Sequence, residues 1–274
     1  MTRYDGKNVY LVGGSAGIGL SAAKVFAARG ANVLLLARRD AQLRHAADAV
    51  AKAKATGAQR LEWRTLDVSK HDEVRVTMAN AVVEFGRPNV LVNCAGRAYP
   101  RRFEDVTYEQ FDETMKINLY GVWNTCAALV PAMRGQGGHI VNVSSMAGFI
   151  GIYGYSDYAA SKFGVIGFSE ALRSEVKPLG IVVSVLCPPD TDTPGFHVEN
   201  ETKPEETKAI SASAKVMHPD AVARVMIRGM EKGKFLIVPG AGGKLAHVAK
   251  RLAPWLVERI MDGTISKVRK RFDR

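Results

Sequence analysis

Apolar runs of strand length alternate with longer stretches in which apolar residues recur every three to four positions. The runs predict strands at 9–12, 32–37, 61–66, 90–92, 140–143, 181–186 and 235–238. The periodic stretches predict helices at 20–29, 40–56, 70–85, most of 107–133, 158–176 and 219–232. Gly30, Gly57 and the pair Gly86 and Pro88 punctuate the first three helices, and Asp40 is placed to cap the second. The strands are almost continuously apolar, so both faces are expected to be buried. That argues for an α/β fold with a parallel sheet covered by helices on either side. The stretch 188–216, rich in Pro, Thr, Asp and Glu, is the least regular and is expected to form a lid. From Lys244 the pattern changes. Leu245, Val248, Leu252, Trp255, Leu256, Ile260 and Met261 recur at helical spacing, interrupted by Pro254 and set among Lys and Arg. The chain thus divides into a domain at 1–240 and a basic amphipathic helical tail at 241–274.

Composition narrows the classes. A chain of 274 residues, 47% of them hydrophobic, can bury one large core. No run approaches the ~18 uninterrupted apolar residues of a membrane span, and the charged start is followed by no signal-like apolar run. A cytoplasmic location is expected. Cys94, Cys126 and Cys187 are far apart and have no metal-ligand spacing, which suits buried thiols in a reducing compartment and no metal site. The net charge of +11 points to nucleic acid, an anionic membrane or an anionic cofactor. Much of that charge sits in the tail and no nucleic-acid module motif is present, so no nucleic-acid partner is expected.

The candidate chemistry lies at strand ends. Gly13, Gly14, Ser15, Ala16, Gly17, Ile18 and Gly19 follow the first strand and open a helix, the setting in which backbone N–H groups meet a pyrophosphate. The alternative is a tight turn with no ligand. Arg38 ends the second strand, where an NAD site usually carries an acid for the ribose hydroxyls. A guanidinium there suits a 2′-phosphate and hence NADP(H), unless it is simply a solvated arginine. Asp67, followed by Val68, either accepts from an adenine amino group or caps the next helix. Asn93-Cys94-Ala95-Gly96 ends the fourth strand in small residues, as a backbone passing close to a cofactor requires. Asn118 lies mid-helix, where Asn is a poor former, so it bonds a local carbonyl or orders water. Tyr158 and Lys162 are four apart, which sets them on one helix face. An ammonium there is expected to lower the phenol pKa by roughly one to three units, giving a general acid or base beside a hydride-carrying dinucleotide.

Taken together, Gly13-x-x-x-Gly17-Ile18-Gly19, Asn93-Cys94-Ala95-Gly96, Asn118, Ser145 and Tyr158-Ala159-Ala160-Ser161-Lys162 resemble the short-chain dehydrogenase/reductase family over residues 6–240. The resemblance implies a Rossmann-type doubly wound sheet of about seven parallel strands. It implies catalysis by Asn118, Ser145, Tyr158 and Lys162, with Ser144 the alternative to Ser145. It assigns NADPH/NADP+ to Gly13, Ser15, Ala16, Gly17, Ile18, Gly19, Arg38, Asp67, Val68, Asn93, Ala95, Gly96, Tyr158, Lys162, Pro188, Thr191 and Thr193, with Thr193 and the backbone near Thr191 on the carboxamide. It implies a homo-oligomer, dimer or tetramer, through helices 107–133 and 158–176. Val12, Cys94 and Pro189 depart from the usual family residues.

A narrower resemblance lies in Pro188-Pro189-Asp190-Thr191-Asp192-Thr193-Pro194-Gly195-Phe196, in Glu199-Asn200-Glu201-Thr202-Lys203-Pro204 and in Glu175-Val176-Lys177-Pro178. These are similar to the 3-ketodihydrosphingosine reductases, which implies a lipophilic ketone substrate in sphingoid-base synthesis. The rivals are reduction of another lipophilic ketone or alcohol (steroid, retinoid or 3-oxoacyl thioester) and an NADP-binding regulator without turnover. The tail is expected either to lie on an anionic membrane surface, as peripheral contact from the cytosolic face, or to pack on protein.

Overall fold

The computed structural model describes residues 4–212 and 214–272. Residues 1–3 and 273–274, the outer ends of the expected domain and tail, lie outside the described residues. In chain order the elements are β1 (Asn8–Val12), α1 (Gly17–Ala27), β2 (Asn32–Ala37), α2 (Asp40–Ala51), β3 (Leu61–Thr65), α3 (His71–Glu84), β4 (Val90–Asn93), α4 (Tyr108–Met115) and α5 (Gly121–Met133). There follow β5 (Gly138–Val143), α6 (Ser156–Val176), β6 (Ile181–Leu186), α7 (Pro194–Thr202), α8 (Glu205–Ser211), α9 (Pro219–Glu231), β7 (Leu236–Ile237), α10 (Ala241–Leu252) and α11 (Pro254–Phe272).

All seven strands run parallel in the order β3-β2-β1-β4-β5-β6-β7. The order reverses between β1 and β4, the place where open α/β sheets bind ligands at their carboxyl ends. Alternation along each strand builds two cores. Val9, Leu11, Val33 and Leu35 face Phe26 of α1, Leu43 of α2 and Met226 of α9. Tyr10, Val12, Leu34 and Leu91 face Met78 of α3, Leu129 of α5 and Val165 of α6. Each fully buried Leu or Phe contributes about 1.5–3 kcal/mol relative to exposure, so both layers hold the strand ends in place.

The structure corrects several expectations. Asp40 does not cap α2: Arg39 occupies the N-cap, and the Asp40 carboxylate accepts from Arg44 Nε at 2.7 Å and Trp63 Nε1 at 3.2 Å. That helix ends at Ala51, short of 56, because Gln59 folds the following turn back and donates to Ala27 O and Ala31 O at 2.8 and 2.6 Å. The helix over 107–133 is interrupted by a π turn at Lys116–Tyr120. The stretch 188–216 is more regular than expected: Thr193 caps Phe196 N at 3.1 Å and Pro194 opens α7, with α8 close behind.

Pro254 separates the two tail helices. α11 packs on α10 and on α8. Arg269 of α11 donates through Nη2 to the Tyr153 hydroxyl at 3.3 Å, and its Nε lies 3.8 Å from Glu206 Oε1 of α8. Arg102 reaches the same Glu206 oxygen at 3.4 Å. Thr207, beside Glu206, donates to Tyr153 O at 2.7 Å.

Candidate active site

The glycine turn joins β1 to α1 at the point of strand reversal. A Cβ on Gly13, whose φ is +80°, would stand 2.5 Å from Ala95 N, and one on Gly19 would stand 2.2 Å from Gly13 O. Ala16 occupies the N-cap of α1 without a side-chain bond to the helix amides. The first turn therefore points its N–H groups and the positive end of the helix dipole toward a channel that side chains would fill, with Gly19 N–H held by Cys94. Those features fit a dinucleotide pyrophosphate.

Arg38 stands exposed at the end of β2 and forms no ion pair among the described residues. Asp67 Oδ1 accepts from Ser69 N and Oγ at 3.0 and 2.7 Å, closing the turn ahead of α3. Burial pushes the Asp67 carboxyl up, but the Ser69 bonds and the Arg38 and Lys70 charges together hold it below its usual range. Val68 is buried, and its carbonyl accepts from Asn124 Nδ2 at 2.9 Å.

The Asn93 side chain is structural, so any contact of this residue with a cofactor is left to its backbone. Its side chain is buried: Nδ2 donates to Asn142 Oδ1 at 2.9 Å and Oδ1 accepts from Thr125 Oγ1 at 2.8 Å. Asn142 continues to Ser169 Oγ at 2.9 Å. The network ties β4, β5, α5 and α6 together and leaves Asn93 no side-chain group for a cofactor. Ala95 and Gly96 are the residues that border the cleft. A Cβ on Gly96 would meet Asn118 Oδ1 and Lys162 Nζ at 3.2 and 3.3 Å.

The π turn aims Asn118 into the protein. Oδ1 accepts from Arg97 N at 2.9 Å, while Nδ2 donates to Arg97 O at 2.9 Å and Ser161 Oγ at 3.0 Å. Its side chain fastens the loop after β4 to α6, and neither end of the amide is held out for water. Asp157, fully buried at the start of α6, accepts from Thr114 Oγ1, Gln110 Nε2 and Tyr158 N at 2.9, 3.1 and 2.7 Å. This carboxylate fixes Tyr158 against α4 and had no signal in the sequence.

Ser145 and Ser144 part at the end of β5. Ser144 is buried and donates to Lys162 O at 2.8 Å. Ser145 accepts from Ala147 N at 3.1 Å and sets its hydroxyl beside the Tyr158 phenol. Lys162 lies one turn on from Tyr158, donates to Val143 O at 3.0 Å and has its ammonium 5.5 Å from the Tyr158 ring centre.

The electrostatics reverse the expectation from spacing. Burial pushes the Tyr158 phenol up, and the nearby Glu199 and Asp190 carboxylates raise it further; the Ser145 hydrogen bond lowers it only in part. Burial brings Lys162 down to about 8. The ammonium is anchored to a backbone carbonyl and does not offset the desolvation of its neighbour.

The segment after β6 closes the site. Pro188 is buried, and its carbonyl accepts from Met146 N at 3.1 Å. Thr191 donates to Pro189 O at 2.8 Å, and the Thr193 hydroxyl accepts from Phe196 N to cap α7. The Thr193 methyl stands 2.8 Å from where a Gly17 Cβ would be, so the lid rests on the glycine turn. Sequence reasoning missed the cluster beneath that lid. Tyr155 donates to Glu199, Lys203 pairs with Glu199 at 3.0 Å, and the Tyr155 and Tyr158 rings are 5.5 Å apart. The Glu199–Lys203 spacing of i,i+4 was its one legible trace. The three cysteines are free thiols, each pushed up by burial.

Comparison with known proteins agrees with this arrangement. The short chain dehydrogenase family model matches residues 7–232. A 3-dehydrosphinganine reductase of Danio rerio is 38% identical over 243 residues, covering 88% of this chain and 73% of that protein. A 3-ketodihydrosphingosine reductase of Bos taurus is 37% identical over 261 residues, covering 94% and 78%. Among solved structures, levodione reductase superposes with a TM-score of 0.78 at 25% identity, covering 88% of this chain and 98% of its own. With its glycine turn at the strand reversal and Ser145, Tyr158 and Lys162 gathered beside it, the chain belongs to the short-chain dehydrogenase/reductase family and is a nicotinamide-dependent oxidoreductase of ketone and alcohol groups.

Proposed function

We propose that this enzyme reduces 3-ketosphinganine to dihydrosphingosine with NADPH. The observation that carries the reading is the 37–38% identity to 3-ketosphinganine reductases across about nine tenths of the chain. Arg38, an exposed guanidinium just past β2, supports NADPH over NADH.

When bound, the reduced nicotinamide supplies hydride to the carbonyl carbon. The ketone oxygen lies between the hydroxyls of Ser145 and Tyr158. As the new C–H bond forms, the π pair of the C=O bond moves to oxygen, and Ser145 holds the growing negative charge with a fixed hydrogen bond. Tyr158 transfers its proton to that oxygen, and water at the cleft returns one. A phenol pushed up in pKa stays protonated at neutral pH, which suits an acid in the reductive direction. Lys162 stabilises the transient phenolate and would hold the nicotinamide ribose.

Purified enzyme, NADPH and 3-ketosphinganine should yield dihydrosphingosine. Tyr158→Phe should lower kcat by about 10²–10⁴ while NADPH affinity is retained. Absence of product, or near-wild-type turnover by the variant, overturns the reading. A 3-oxoacyl-[acyl-carrier-protein] reductase of Chlamydia trachomatis, 32% identical over 222 residues, favours a 3-oxoacyl thioester as the second substrate class. The same assay with a 3-oxoacyl thioester decides between them.

Two further readings concern partners. A cavity of about 660 Å³ lined by Leu119, Tyr120, Trp123 and Phe168 opens on an exposed apolar face of α5 and α6. A second copy of the chain is the occupant this face suits, and light scattering that finds only monomer would refute it. In the tail, Leu245, Leu252, Trp255 and Ile260 are largely exposed, flanked by Lys244, Lys250, Arg251 and Arg259. No described helix is long and apolar enough to cross a membrane. The tail is suited to lie on an anionic bilayer at the cytosolic face. Liposomes rich in phosphatidylserine should sediment the enzyme, and Leu252→Glu with Trp255→Glu should abolish this. Equal sedimentation of both proteins would end the idea.

A further inference from the structure

The lid segment around α7 carries an unbalanced charge cluster to the edge of the catalytic tyrosine. The Lys203 ammonium, only 3% exposed, lies 3.0 Å from Glu199 Oε1, 3.8 Å from Asp190 Oδ2 and 4.4 Å over the Phe196 ring. Tyr155 donates to Glu199 Oε1 as well. Two carboxylates therefore share one buried cation, leaving a surplus negative charge. Both hydrogen bonds to Glu199 fall on Oε1, and among the described residues none forms to Oε2. The Glu199 side chain is 16% exposed and that of Asp190 28%, so the surplus is shielded by little water. Desolvation already pushes the Glu199 carboxyl up. An uncompensated charge in such a place is unfavourable, and a purely structural strap for α7 would be expected to balance.

Beside Tyr155 stands Tyr158. Its ring stands 5.5 Å from that of Tyr155, and both carboxylates oppose formation of its phenolate. A second cation entering from the cleft would balance the cluster and remove that opposition in one step. A ketone with an ammonium on the adjacent carbon, its oxygen held by Ser145 and Tyr158, brings a cation to this side of the site. We propose that Glu199, assisted by Asp190, selects α-amino ketones by pairing with the substrate's ammonium. This rests on the ketone-reductase reading above and adds to it the residues that tell an amino ketone from a neutral one.

The test compares 3-ketosphinganine with its 2-hydroxy analogue, in which a neutral hydroxyl replaces the ammonium. Both are assayed at pH 6.5, below the ~7.7–8 at which an α-amino group titrates. The wild-type enzyme should favour the amine by tenfold or more in kcat/KM, a difference of about 1.4 kcal/mol. Glu199→Gln, which keeps an acceptor for Tyr155, should bring that ratio to within twofold of unity, chiefly by raising KM for the amine. Should the variant fold poorly, Asp190→Asn should reduce the same ratio, and the wild-type comparison needs no variant at all. Equal use of both ketones by the wild type, or an equal loss on both in the variants, overturns the proposal while leaving ketone reduction standing. If the wild type reduces neither compound, the functional reading falls and takes this inference with it.

Discussion

Gly13→Ala tests the claim that the cofactor channel is formed by two backbones in contact. The residue has φ +80°, where an L side chain costs about 1–2 kcal/mol. The added methyl would also meet Ala95 N at 2.5 Å, Ala95 Cα at 2.8 Å and Cys94 C at 2.8 Å. Ordinary contact begins near 3.4 Å, so the turn and the end of β4 must separate by about 1 Å in a packed region, an overpacking penalty of about 1–3 kcal/mol. The sum is about 2–5 kcal/mol, against a typical total stability of about 5–15 kcal/mol. The variant should therefore fold, with a lower urea midpoint, while the shifted turn binds NADPH at least 30-fold more weakly by fluorescence titration. Gly57→Ala is the control, because a Cβ there meets nothing within 4 Å. A Gly13→Ala protein within 0.5 kcal/mol of wild type in urea, with NADPH affinity within twofold, would refute the account of the turn.

Arg38→Asp should weaken NADPH by about 10–100-fold, as loss of a charge-assisted contact implies, and leave NADH within threefold; parallel titrations that show equal losses would remove Arg38 from the 2′-phosphate. Reduction should lose kcat/KM above about pH 8 as Lys162 gives up its proton, and a flat profile to pH 9.5 would contradict a working ammonium. Between about 8 and the ordinary 10.5 the unfolded chain holds a proton that folded Lys162 has released, so its contribution to stability rises with pH across that window. His139 is buried and brought down from 6.5 to about 4. Its Nε2 meets Ser184 Oγ at 2.8 Å while that hydroxyl donates to Lys234 O, which fixes the neutral Nε2–H form. Between pH 6.5 and 4 the unfolded state takes up the proton that folded His139 refuses. Stability should fall across this interval by up to about 3 kcal/mol, and His139→Gln should flatten that part of the urea-midpoint curve.

The sheet was readable because its strands are buried on both faces, so runs such as Val33-Leu34-Leu35-Leu36 have no helical alternative of that length. The glycine turn was readable because its spacing follows from a backbone constraint. Roles that depend on which atoms a side chain meets were less visible. Asn93 sits in the expected motif, yet its amide is consumed by Asn142 and Thr125, residues 49 and 32 positions away. The π turn leaves no periodic signature, so the inward aim of Asn118 could not be read. The spacing of Tyr158 and Lys162 gave their proximity, but the sign of the pKa shift came from burial and from the lid carboxylates Glu199 and Asp190. The helices α7 and α8 were hidden because both are short and polar, although Thr193-Pro194 carried a cap-and-start signal.

Arg269 gives the end of the chain a share in the catalytic wall. Through Tyr153 it touches the loop that leads to Tyr155 and Tyr158, and through Glu206 it holds the helix that follows the lid. A cut at residue 240, where periodicity suggests a clean seam, would deprive a 1%-exposed carboxylate of one of its two arginines and loosen the far side of the substrate cleft. The last helix is thus a brace, and any surface on which it settles is mechanically connected, through a few side chains, to the loop beside the reacting ketone.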